Sequence, residues 1–409
     1  MGVIERILDL ARWAPSGDNT QPWRFELLND GHFVIHGFDT REWCVYDIDG
    51  RPSQIALGAL IENIALAAAR EGMRAEFTRR LHEPDTTPKF DVRLIADAAL
   101  EADPLVDQIT VRSVYRRALS LRAMTPTQKA SLSAAPGPAY GVQWIEGLRD
   151  RWSVARLMSS NSELRLTAPE TYEVHRKVIA WKQRFSEDKV PDAAVGLDPF
   201  TTRLMGWVMR DFERVRFFNR FLGGTLAPKM QLDIVPSIAC AAHFLIVAPA
   251  APRTTDDFVA AGRAVQRFWL TATQNGLQLQ PEMTPLIFAA YVREGRAFTS
   301  VEGIWKRAQS LAGRLSDLTR TDPASIVFMG RVGFGGGAAS RSLRLPLDRL
   351  ILRDGGRGRD GKEDFQSGRP PSTSGLAYSI RRSRPSMPFS SAGAKNSGYS
   401  SRVWPASSR

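Results

Sequence analysis

Pro15 and Pro22 bracket the stretch that most restricts how this chain can fold, Ala11-Arg12-Trp13-Ala14-Pro15-Ser16-Gly17-Asp18-Asn19-Thr20-Gln21-Pro22-Trp23-Arg24-Phe25. Proline lacks an amide hydrogen and fixes its own φ, so a helix cannot continue through Pro15, and the residue before Pro22 is held out of the helical region. The flanks agree. Val3, Ile4, Ile7, Leu8 and Ala11 have helical spacing and predict a helix that stops at Pro15. Trp23–Leu28 and His32–Phe38, on either side of Asn29-Asp30-Gly31, predict a β-hairpin. Pro52-Ser53 opens a long helix in which Ile55, Leu60, Ile61, Ile64 and Ala68 keep a 3–4 spacing up to Gly72, and Phe90–Ile95 reads as a strand. On composition alone the run between the prolines is a stiff connector, an ordinary use of Pro, Ser, Asp and Asn.

A second block begins near Asp107. Its clearest parts are a strand at His243–Ala248, a helix at Asp256–Gln274 and a strand at Ser325–Met329. Thr254 and Thr255 can cap that helix; Phe258, Val265, Phe268, Trp269 and Ala272 form its apolar stripe, and Asn275-Gly276 ends it. Arg151–Leu232 reads as mostly helical and carries Trp181, Phe185, Phe200, Trp207, Phe212, Phe217, Phe218 and Phe221, most of them expected in the core. The chain therefore divides into an α+β half at 1–105 and a second at 106–352 with a helical insertion at 151–232, and the two halves can be diverged copies of one unit. Residues 354–409 hold thirteen Ser, eight Gly and five Pro with few aliphatics. Such a segment buries too little surface to offset its ordering entropy, so 353–409 is expected to be a disordered basic tail, or else non-native sequence from a shifted reading frame.

Composition excludes several classes. With 43% hydrophobic and 24% charged residues, the 409-residue chain is neither wholly disordered nor fibrous. Half of its +12 charge falls in residues 354–409, which leaves a mildly basic body suited to small anions as well as to polynucleotides. The tail arginines lack interleaved aromatics, so no nucleic-acid partner is expected. Cys44 and Cys240 make neither a disulfide framework nor a zinc site, and the five histidines show no metal spacing, so no metal is expected. His175, within Glu173-Val174-His175-Arg176, could face a pocket under a lid, but an exposed helix position is the expectation. The start of the chain is amphipathic rather than signal-like, and the apolar runs Ile55–Ala69 and Ile234–Pro252 are broken by polar residues or proline. Neither supplies the roughly 20 apolar residues of a span, so the expectation is a soluble, cytoplasmic protein without a membrane partner.

The order of residues in the opening loop adds more than its composition. It closely resembles the APS-x-x-N-x-QPW signature of the nitroreductase superfamily, whose members hold FMN on an α+β fold. The resemblance implies a mixed, mainly antiparallel sheet flanked by helices, with Ser16, Asn19 and Gln21 beside the isoalloxazine ring. A flavin phosphate also needs cations. In Arg112-Ser113-Val114-Tyr115-Arg116-Arg117, a helix would put Arg112 and Arg116 on one face with the Ser113 hydroxyl beside them; the ordinary alternative is a solvated basic helix end. With Ala123-Met124-Thr125-Pro126 behind it, the string looks like the family's phosphate-binding Arg-Ser segment. Arg341-Ser342-Leu343-Arg344-Leu345-Pro346-Leu347 resembles its C-terminal basic element, with Arg344 the better match and Arg341 the weaker. The glycine-rich Gly330–Gly337 lacks the Lys-Ser/Thr of a P-loop. Gly262, Ala264, Trp269, Ala272 and Gly276-Leu277 resemble the helix that precedes a turn beside flavin N5, which implicates Gln280 and Pro281; Glu282 reads as an ordinary surface acid.

In ordinary nitroreductases the Arg-Ser segment precedes the APS loop, whereas here it follows. That order, with Asp39-Thr40-Arg41, Asp49-Gly50-Arg51 and Ala56-Leu57-Gly58-Ala59-Leu60, looks like the single-chain branch, in which two half-units mimic the usual homodimer around one FMN. The resemblance implies a monomer (an internal pseudo-dimer) or a homodimer, with NAD(P)H as electron donor and a small nitro- or quinone-like acceptor. It also leaves open an FMN-sequestering protein with little turnover, in which the insertion is a lid, and a flavin-linked cofactor-biosynthesis enzyme. No residue is assigned as catalytic.

Overall fold

The structure, a computed structural model, describes residues 2–221 and 223–352. The basic-tail expectation for 353–409 lies outside the described residues.

Helix α1 (Val3–Ala11) buries Ile4, Ile7, Leu8 and Ala11 and ends ahead of Pro15. The hairpin follows as β1 (Trp23–Asn29) and β2 (His32–Gly37), then α2 (Arg51–Arg70), β3 (Met73–Arg79) and β4 (Lys89–Ala96). These strands form an antiparallel four-stranded sheet of order β1-β2-β4-β3. Strand β3 is absent from the sequence expectations. It is an edge strand whose alternate positions are exposed, so Arg74, Glu76 and Thr78 mask the apolar signal of Met73, Ala75 and Phe77.

The second block opens with α3 (Pro126–Ala134) and β5 (Gly141–Ile145). Helices α4 (Leu148–Thr167) and α5 (Pro169–Val178) lead into the short strands β6 (Ile179–Ala180), β7 (Phe185–Ser186) and β8 (Val190–Pro191). Then come α6 (Pro199–Val208), α7 (Phe212–Phe221), α8 (Leu226–Lys229) and α9 (Val235–Ile238). Strand β9 (Ala242–Val247), helix α10 (Thr255–Gln274), strand β10 (Gln278–Pro281), helices α11 (Thr284–Arg293) and α12 (Glu302–Thr319) and strand β11 (Ile326–Gly333) complete the block. The chain closes with β12 (Arg341–Ser342) and α13 (Leu347–Leu350). The second sheet runs β5-β9-β11-β10, again antiparallel throughout. Both halves thus place a long helix between their second and third sheet strands and order those strands first, second, fourth, third.

The halves meet where α2 crosses α10. A Cβ on Gly58 would stand 2.8 Å from the Gly262 Cα, and a Cβ on Gly262 would overlap the Ile55 carbonyl oxygen, so only glycine at both positions allows this approach. Helix α2 is long and apolar enough to cross a membrane, but 78% of that span is buried inside the protein, as a central helix between two layers requires.

Two boundaries move. Helix α4, which the sequence reading counted within the insertion at 151–232, packs into the core of the second half: Val154, Leu157, Met158 and Leu164 meet Leu245 and Met329 of the second sheet. The end of the chain leaves the second half, since Leu345, Leu347 and Leu350 join the core of the first and Leu352 N–H donates to the Phe25 carbonyl at 2.7 Å. The aromatics also differ from expectation. Phe200 is 76% exposed and Phe221 64%, with Phe185, Trp207 and Phe217 exposed as well. Phe185 lies in β7; the ten-residue helices α6 and α7 that hold the other four carry aromatic side chains on more than one face, and one face alone can be buried.

Candidate functional site

The loop between the prolines is held in an unusual backbone shape. Asp18, Asn19 and Gln21 have φ of 50°, 64° and 48°, a region that non-glycine residues enter only when their surroundings hold them there. The hydrogen bonds show what does so. Gln21 N–H donates to Ser16 Oγ at 3.0 Å. Gln21 Oε1 accepts from Leu345 N–H at 2.9 Å, and its Nε2 donates to the carbonyls of Asn19 and Glu187 at 3.2 and 2.8 Å. Asn19 Oδ1 accepts from Arg344 Nη1 at 2.9 Å, and its Nδ2 donates to the Glu187 and Lys189 carbonyls at 3.0 and 3.3 Å. The amides expected to face a flavin ring are therefore bonded to the β7–β8 turn and to the C-terminal segment. Ser16 and Asp18 keep accessible surface.

Behind this loop lie arginines from the middle and the end of the chain. Arg112 Nη2 donates to the Trp13 carbonyl at 2.9 Å, while Arg344 Nε and Nη2 donate to the next carbonyl, Ala14, at 2.9 and 2.8 Å. Arg112 also lies over the Trp269 ring at 4.6 Å, and Arg341 over Trp13 at 5.0 Å, with its Nη1 on the Thr110 carbonyl at 2.9 Å. Burial, then repulsion from Arg344 and Arg341, pushes the Arg112 guanidinium well below its usual range; burial, with Arg341 and Arg12, pushes Arg344 down to about 9. No carboxylate offsets these effects, and the Nε atoms of Arg112 and Arg341 are buried without a hydrogen-bond partner among the described residues. Buried like charges with unused donors are costly unless an anion meets them, so this arrangement fits a phosphate monoester dianion. Ser113 lies partly buried next to Arg112.

Arg116 does not join them. The segment is extended, not helical: Val114 bridges Leu279 in parallel and Tyr115 N–H donates to the Leu279 carbonyl at 3.0 Å. Arg112 and Arg116 thus share no helix face. Arg116 instead donates to the Ala194 carbonyl at 3.0 Å and lies among Asp18, Arg165 and Arg331, its pKa lowered to about 10 by burial against the pull of Asp18. Asp18, Tyr46, Arg116 and His175 each retain some accessible surface, and Arg165 acts electrostatically on all four.

Sequence reasoning missed most of these neighbours. His175 is not on an exposed face: its Nε2 lies 3.1 Å from the Tyr46 hydroxyl, and burial with Arg165 holds it down to about 3, so the ring is neutral. Glu282 is not a surface acid. Its Oε2 lies 2.7 Å from His243 Nδ1 and its Oε1 3.7 Å from Arg331 Nε, with all three buried. Burial opposes a charged His243, but Glu282 outweighs it and raises the imidazole to about 10. Gln280 and Pro281 are not in a turn; they form β10, paired with Arg331 and Gly330 of β11. Gln280 Nε2 donates to the Pro281 carbonyl at 2.8 Å and its Oε1 is buried without a partner among the described residues.

No family model matches the chain. A curated relative, Uncharacterized protein MT1398 from Mycobacterium tuberculosis (strain CDC 1551 / Oshkosh), is 23% identical over 288 residues, which is 70% of this chain; the chain spans 39% of that relative's length. Among solved structures, the chain is similar to the nitroreductase-like family protein from Bacillus cereus, at 12% identity and a TM-score of 0.31 over 62% of this chain and 97% of that one. It is also similar to the FMN-dependent nitroreductase NfnB from Mycobacterium smegmatis, solved with NADPH, at 13% identity and a TM-score of 0.33 over 59% of this chain and 94% of that one.

Proposed function

We propose that the chain binds FMN and acts as an NAD(P)H-dependent oxidoreductase on a small electrophilic acceptor. The observation that carries this is the arginine group: Arg112 and Arg344 grip consecutive carbonyls of the opening loop, Arg341 lies beside them, and no acid among the described residues neutralises any of the three. Arg112, Arg341 and Arg344, with the Ser113 hydroxyl, would hold the phosphate, and Ser16 with Asp18 would lie toward the ring. Bound FMN would supply the hydride-transfer chemistry that protein side chains lack. The chain's own part is to fix the phosphate and to keep neutral polar groups near the opening loop. Tyr46 keeps its proton because burial raises its hydroxyl well above the usual range, and His175 stays uncharged.

One observation favours a second reading, FMN sequestration. The Glu187 and Lys189 carbonyls clamp the opening loop through Asn19 and Gln21, and β7 pairs with β12, so the insertion is tied down on two sides. Mixing the FMN-loaded protein with NADPH without oxygen separates the two. Loss of the flavin absorbance within seconds identifies a reductase, an unchanged band identifies sequestration, and a protein that takes up no FMN defeats both.

A further inference from the structure

Helices α6 and α7 of the insertion turn aromatic side chains toward water. On α6, Phe200, Arg203 and Trp207 are exposed at spacings of three and four, which places them on one face. On α7, Val215 is buried, and Phe217 and Phe221 lie one turn apart on the opposite, exposed side. The two faces are continuous. Ring centres are 5.7 Å apart for Trp207 and Phe218, 6.3 Å for Phe218 and Phe217, and 5.2 Å for Phe217 and Phe221. Three of these four rings are exposed, and a contiguous apolar patch of this kind marks a contact surface.

Charge narrows what covers it. Residues 199–221 hold five arginines against two acids. Arg214 lies 4.7 Å over Trp207 and Arg220 5.5 Å over Phe221, so cations are interleaved with the rings. Glu213 is taken by Arg216 at 2.9 Å, while Arg203, Arg210, Arg214 and Arg220 have no carboxylate partner among the described residues. Like charge disfavours a second copy set face to face, and equally the segment 353–409, which is itself basic. The complementary partner is anionic. Phe200 and Phe218 also line a cavity of about 190 Å³, with Leu204, Met205, Val208 and Val215 among its other walls and no acid in its lining. An apolar void bordering an arginine-rimmed aromatic face suits acyl chains below anionic headgroups better than it suits an acidic protein surface.

We propose that the α6–α7 face docks on an anionic lipid bilayer, with its aromatic rings in the interfacial layer and Arg203, Arg210, Arg214 and Arg220 at the headgroups. The sequence expectation of no membrane partner rested on the lack of a spanning segment, and an interfacial helix pair needs none. The proposal stands whether or not the chain holds FMN.

The full-length protein is sedimented with vesicles of phosphatidylcholine and with vesicles of phosphatidylcholine and phosphatidylglycerol in equal parts. The expected result is binding at least about tenfold tighter to the anionic vesicles, weakened at least about tenfold by Phe217→Ser with Phe221→Ser at an unchanged melting temperature. A second readout needs no loss of binding: lipid brominated along its acyl chains should quench tryptophan fluorescence in the wild type and much less in Trp207→Phe, which keeps a ring at that position. No vesicle binding, binding no tighter to the anionic vesicles, or quenching that Trp207→Phe leaves unchanged overturns the proposal. Vesicle binding that the double variant retains would move the contact to the basic segment 353–409, and a wild-type dimer that ignores vesicles and dissociates in the double variant would give the face to a second copy; either outcome also overturns it.

Discussion

Gln21 is a brace where the sequence resemblance makes it a flavin contact. It is fully buried, and its amide joins three chain segments through Leu345, Asn19 and Glu187. Replacing it by alanine leaves the Leu345 N–H and the Asn19 carbonyl without this partner, each at about 1–3 kcal/mol, while the Glu187 carbonyl keeps Asn19 Nδ2. Gln21→Ala is expected to lower stability by about 2–3 kcal/mol in urea unfolding. The arginines behave differently. Each charge-assisted contact to a phosphate is worth roughly 1.5–3 kcal/mol, so Arg112→Ala with Arg344→Ala should weaken FMN binding by about 10²–10⁴-fold, read by fluorescence titration. Undiminished affinity in that double variant would remove the phosphate assignment. Residue chemistry was legible where it is local: two prolines, Ser16 and a cationic pair announce themselves. It was not legible where the partner is remote. Glu282 looks ordinary until β11 brings Arg331 beside it and His243 from β9 comes within 2.7 Å.

Element by element, periodic helices and hydrophobic strands were readable because each buries one regular face. Of the two caps the sequence offered for α10, Thr254 is the one used, its Oγ accepting from Asp257 N–H at 3.2 Å. What failed was any element whose identity depends on a neighbour. Strand β3 exists because β4 pairs with it, the segment 112–116 is extended because Leu279 bridges Val114, and Gln278–Pro281 is a strand because β11 runs alongside. The α2–α10 crossing is the firmest contact between halves, and it yields a test. At Gly262 an added methyl group collides with the Ile55 backbone, which cannot swing away as a flexible side chain would. Gly262→Ala should therefore cost at least about 3 kcal/mol and lower the thermal midpoint, although alanine is the better helix former by about 1 kcal/mol. A stability gain instead would mean that the helices do not pack this closely in solution.

At the scale of the whole molecule, the chain end crosses back to the first half, so the arginine group is complete only when both halves and the C-terminal segment are assembled. The second half has its own deep ionic centre, His243 with Glu282 and Arg331, which ties β9, the end of β10 and β11 into one unit. That centre gives stability a pH dependence with a definite sign. His243 titrates at about 10 when folded and near the ordinary 6.5 when unfolded, so the folded state binds the proton more tightly. Its contribution is fully present below about pH 6.5, declines as the unfolded imidazole loses its proton, and is gone once pH exceeds the folded value. Urea midpoints measured from pH 6 to pH 10 should fall steadily for the wild type. His243→Gln should be less stable at pH 6 yet show a much flatter profile, because the group that links folding to proton uptake has been removed. A variant profile as steep as that of the wild type would place the linkage elsewhere, and would show that the carboxylate of Glu282 does not hold a charged imidazole in the folded chain.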